Sequence, residues 1–165
     1  MIPEKEVYSR IGMALVSTQR VEWVVSQIII HLAEYDAEVY GISGQEFLSN
    51  SQRAKKARKT LGEIFKLFKL TKFAFIEVEM DEYLKKRNDL VHQFWRLYLD
   101  TKSETQARKA IEFCNEFGKM SDSMEKYFKG FIYFLALRHV KDRDHLDPIL
   151  QGWSNEFDYF ITRAI

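Results

Sequence analysis

Residues 11–32, IGMALVSTQRVEWVVSQIIIHL, decide the fold class. Ile11, Leu15, Thr18, Val21, Val25, Ile28 and Leu32 recur at steps of three and four, the spacing that lines up one face of an α-helix. Pro3 stands where a first-turn proline is tolerated, so this helix is predicted to run from there to about Tyr40, with Gly41 and Gly44 ending it. Downstream, Ser49-Asn50-Ser51 offers caps for a second helix, about 52–69, that buries Ala57, Leu61, Ile64, Phe65 and Phe68. A third helix is predicted over about 73–99. Ser103-x-x-Gln106 reads as a capping box for a fourth, running to about Val140, with Gly118 and Ser121 as places where it bends or breaks. Asp147 and Pro148 supply the cap and first turn of a last helix with a stripe of Ile149, Trp153, Phe157, Phe160 and Ile161.

The expectation is therefore an all-α, single-domain bundle of about five helices over residues 1–165. The rest of the composition agrees. The chain is 46% apolar with 24 aromatic residues, which excludes a disordered chain, and only two prolines and seven glycines punctuate it. A single cysteine, Cys114, excludes an internal disulfide framework and points to a reducing cytoplasm. The longest apolar run, Phe131 to Leu137, is too short to span a membrane, and the first ten residues lack a signal-peptide core. A net charge of +1 says little about partners.

The third helix carries Arg87-Asn88-Asp89-Leu90-Val91-His92. A guanidinium clamps phosphate through paired hydrogen bonds, an imidazole exchanges protons near neutrality, and an amide both donates and accepts. A phosphate clamp beside an acid/base group is what phosphodiester cleavage needs. On a straight helix, positions five apart differ by about 140°, so Arg87 and His92 diverge unless the helix distorts or the cleft is wide, whereas Asn88 and His92 share a face. The alternative is a solvated arginine and a packed histidine.

The pattern Arg87-Asn88-x-x-x-His92-x-Phe94-Trp95 resembles the Arg-x4–6-His signature of the HEPN superfamily. Those are bundles of four or five helices, so the resemblance covers nearly the whole chain. Many are metal-independent ribonucleases of toxin–antitoxin, abortive-infection and CRISPR systems, whose motifs meet at a dimer interface. The resemblance implies a cytoplasmic, homodimeric endoribonuclease of a toxin or defence system. His92 would be its acid/base residue, Arg87 its phosphate clamp and Asn88 a positioning group, with no cofactor or metal. The chemistry favours a dimer too, since one histidine does not readily perform both proton transfers in one step. An antitoxin or other protein partner is compatible with this reading. One departure stands out: where several HEPN toxins carry a modifiable tyrosine two positions after the histidine, this chain has Phe94. The rival expectations are a non-catalytic HEPN-like module that binds RNA, a nucleotide or a protein, and an unrelated helical interaction protein.

Basic residues concentrate between 52 and 72, where Lys55, Lys59, Lys66 and Lys69 fall opposite the apolar stripe as a candidate RNA track. A solvated face, neutralised by the acidic run Glu77, Glu79, Asp81 and Glu82, competes with it. The connector His139, Arg143, Asp144, His145 and Asp147 reads as a solvated turn rather than a metal site, and His31 as a core-flanking residue. Phe94, Trp95 and Tyr98 are expected to pack, with stacking on unpaired bases as the alternative.

Overall fold

Helix α1, Glu4–Glu34, opens with Glu4 and Glu6 in its first turn, where carboxylates oppose the positive end of the helix dipole. It is the first element of an all-α chain, and no strand occurs among the described residues. The computed structural model describes residues 2, 4–34, 61–69, 76–138 and 140–164, with the side chains at 29–34, 64, 67 and 68 outside that description. After α1 come α2 (Leu61–Phe68), α3 (Glu77–Asn88), a π turn (Asp89–Gln93) and α4 (Phe94–Tyr98). Then follow α5 (Glu104–Leu137), a 3-10 turn (Arg143–His145), α6 (Pro148–Gln151) and α7 (Ser154–Ala164). The predicted start of the second helix lies outside the described residues.

Packing divides the chain into two units, residues 1–21 with 78–124 and residues 22–77 with 125–165. The first is built on stacked aromatics: Tyr83 lies 5.1 Å from Phe117, and Phe113 lies 5.7 Å from Phe94 and 5.2 Å from Tyr98. Met80, Tyr83, Leu90 and Phe94 seat the third predicted helix in this core, each stabilising it by roughly 1.5–3 kcal/mol on full burial. Lys86 Nζ, 3.2 Å from Glu116, ties this helix to α5, and Arg20 Nη2, 2.8 Å from Asp122, ties α1 to α5. In the second unit Phe65 meets Phe128, Tyr127 meets Phe160, and Trp23 lies edge-on to Trp153.

Three details depart from the sequence expectation. In α1 the buried face runs through Val7, Ala14, Thr18, Val21, Val25 and Ile28, while Leu15 is exposed. Ala14 and Leu15 lie about 100° apart around the helix, and the heptad 7, 14, 21, 28 sets the buried face, which leaves the larger Leu15 outside it. Ser121 does not break α5: it is buried, and its hydroxyl donates to the Phe117 carbonyl at 2.9 Å, satisfying itself within the helix. The last helix is two, because the chain turns at Gly152 and Trp153. That break buries Leu150 and turns Ile149 outward, whereas Trp153 and Phe160 are buried as expected. Asp147 caps as predicted, its carboxylate accepting from the Ile149 amide at 2.8 Å. Ser103 likewise accepts from the Gln106 amide at 3.2 Å, but Gln106 reaches back to the Thr101 amide at 3.0 Å rather than closing the box on Ser103.

Candidate functional site

Arg87, Asn88 and His92 straddle the point where α3 becomes a π turn. Neither proline nor glycine lies between Glu77 and Tyr98, and the extra residue is absorbed at Gln93, whose φ of −127° and ψ of −4° leave the helical region. Helical angles resume at Phe94 (φ −56°, ψ −45°). Bonds from i to i+5 turn the chain by roughly 80° per residue, so the turn brings Arg87 and His92 from about 140° apart to about 80°. Asn88 and His92 come within about 20° of one another by the same count. The turn narrows the divergence of Arg87 and His92 without placing them on one face. Single π turns inside α-helices recur at functional sites.

His92 and Asn88 are exposed and Arg87 is half-buried. Arg87 donates to the Asn88 side-chain oxygen at 3.3 Å, which tethers guanidinium and amide together. His92 makes no hydrogen bond or ion pair with another described residue. Leu90 and Phe94 pack the motif on the core, but Val91 is exposed. Next along the face, Arg96 donates to Gln93 at 2.5 Å.

Of the aromatic trio, Phe94 is buried as expected and Tyr98 is partly so, lying 4.9 Å from Phe94. Burial, then the Asp89 carboxylate, pushes the Tyr98 hydroxyl above its ordinary pKa, so it stays a donor. Trp95 overturns the packing expectation. Its indole is 68% exposed and lines a cleft of about 780 Å³ within the first unit, together with Tyr8, Tyr98, Lys102, Glu4 and Glu104. Lys102, at the turn before α5, has φ of +50°, a left-handed backbone uncommon outside glycine and asparagine. Periodicity missed Trp95 because a tryptophan beside a buried phenylalanine reads as core.

Of the four lysines in the stripe, Lys66 and Lys69 fall among the described residues. Lys69 Nζ lies 3.3 Å from Glu77, the neutralised arrangement that competed with RNA binding, while Lys66 is exposed. Lys55 and Lys59 lie outside the described residues, as do His139 and the side chain of His31. The connector at 141–145 is exposed, and His145 Nδ1 meets the Asp142 carboxylate at 2.6 Å. Among the described residues no three His, Cys, Asp or Glu side chains converge on an ion position, and no helix is long and apolar enough to cross a membrane. No protein-family model, curated protein or solved structure matches the chain.

Proposed function

We propose that the chain is a HEPN-like, metal-independent endoribonuclease, a toxin or defence component, whose site is completed by a second copy. The observation that carries this is the π turn at the motif, which leaves His92 exposed to solvent and draws Arg87 and Asn88 toward its side of the helix. His92 exchanges the proton of the RNA 2′-hydroxyl or of the leaving oxygen. Arg87 offsets charge on the phosphate oxygens, and Asn88 holds the phosphate in line. Two-fold symmetry supplies the second histidine, so one acts as base and the other as acid. Exposed Val91 and Leu97 flank the motif and give such a pairing apolar surface to cover.

Induced expression in a bacterial host tests this reading. The wild type is expected to arrest growth with loss of cellular RNA, and His92→Ala and Arg87→Ala to permit growth. Equal growth of all three strains at equal protein levels counts against it. Trp95 exposure also favours the rival reading of a non-catalytic module, in which arrest, if any, would survive the loss of His92.

A further inference from the structure

The cleft beside Trp95 joins exposed aromatic rings with charged groups of both signs. An exposed indole and the half-exposed Tyr8 ring offer π faces, and unpaired bases stack on such faces when a single strand is bound. The polar lining has both signs. Lys102 presents an ammonium that makes no ion pair with another described residue, held on a left-handed backbone; residues kept in sparsely populated conformations cluster at ligand sites. Glu4 and Glu104 present carboxylates, which disfavour phosphate inside the cleft and accept from N–H groups. Guanine carries this complement along one edge: O6 accepts from an ammonium, while N1–H and the 2-amino group donate to a carboxylate. Uracil offers one N–H between two carbonyls and fits poorly.

We infer that this cleft binds one unpaired guanine of a single-stranded RNA, stacked on Trp95 and read by Lys102 with Glu4 or Glu104. The inference rests on the nuclease reading for the strand's identity. Trp95 follows His92 by three residues, a rise of about 4.5 Å along the helix axis, so the bound base belongs to a nucleotide near the scissile phosphate. Phosphates stay outside with Arg87, and the base enters the cleft. The site would thereby set sequence preference, which neither Arg87 nor His92 can do.

The test is binding of five-residue RNAs, 2′-O-methylated throughout so that they cannot be cut, to the full chain by fluorescence anisotropy. An oligonucleotide with one central guanine among uridines is expected to bind on the order of tenfold more tightly than oligouridine, as one added hydrogen bond to a charged group allows. Trp95→Ala should erase that difference, with helicity unchanged because the indole is 68% exposed. Lys102→Asn should reduce it, since asparagine accepts the left-handed backbone while removing the charge. His92→Ala should leave it intact. Equal affinity for the two oligonucleotides, or a preference that survives Trp95→Ala, overturns the inference. Competition by guanosine monophosphate as effective as the oligonucleotide itself would assign the cleft to a free nucleotide and overturn the strand assignment. A guanine preference without cleavage of unmodified RNA would instead sink the nuclease reading and leave the base site standing.

Discussion

His92 is exposed, so its removal should cost activity rather than stability. His92→Ala is expected to lower RNA cleavage by at least about 10²-fold, the lower end of what general acid–base catalysis supplies. Its melting temperature should stay within about 2 °C of the wild type, since surface substitutions rarely exceed roughly 0.5 kcal/mol. Calorimetry beside a cleavage assay checks both; an unfolded variant would make His92 a structural residue. Cys114 behaves oppositely. Burial pushes its thiol from 9.0 up to about 11, so the folded chain holds the proton more tightly than the unfolded one. The resulting stabilisation is complete below about pH 9 and is lost as pH rises toward about 11, a difference on the order of 2 kcal/mol. Melting temperature should therefore fall more steeply between pH 9 and 11 for the wild type than for Cys114→Ala. Parallel curves would contradict it. Residue identity was legible at the motif, because Arg, Asn and His announce their chemistry. Exposure was not: Trp95 and Phe94 are adjacent aromatics, and only the register of the turn sends one outward and the other 94% out of solvent's reach.

At the scale of elements, the π turn holds one residue more than an α-helix needs. Deleting Gln93, where the surplus is absorbed, should restore plain α geometry, keep helical content, and swing His92 away from Arg87. Cleavage should be lost with far-ultraviolet circular dichroism preserved; full activity in a folded deletion would show that the turn is incidental. The crossing of α5 and α7 is tested by glycine. A Cβ at Gly130 would meet the Glu156 backbone oxygen and lie 2.5 Å from the Phe160 Cβ, whereas at Gly118 it would meet nothing within 4 Å. Gly130→Ala should destabilise by about 2 kcal/mol or more through overpacking. Gly118→Ala should stabilise by about 0.5–1 kcal/mol through helix propensity. Melting temperatures moving in the same direction would refute the contrast. Periodicity and caps made the helices legible, including the Ser103 and Asp147 caps. The π turn was hidden because no proline or glycine marks it, and the split at Gly152 because one glycine in an apolar stripe does not reveal whether a helix ends.

For the whole molecule, the all-α class followed from composition and periodicity, while assembly is written in no single residue. Two copies meeting near the Arg87–His92 helix would place two histidines at one axis and cover Val91 and Leu97. Light scattering should then report a dimer at micromolar concentration, and a strict monomer there would remove the second proton-transfer group. The most direct trial of the central claim is the fate of the RNA itself. Purified protein incubated with single-stranded RNA and with DNA of the same sequence, in excess chelator, should cut only the RNA and leave cyclic or 3′-phosphate ends, with the His92→Ala protein inactive. Intact RNA in the wild-type reaction, 5′-phosphate ends, or equal cleavage by His92→Ala would contradict it.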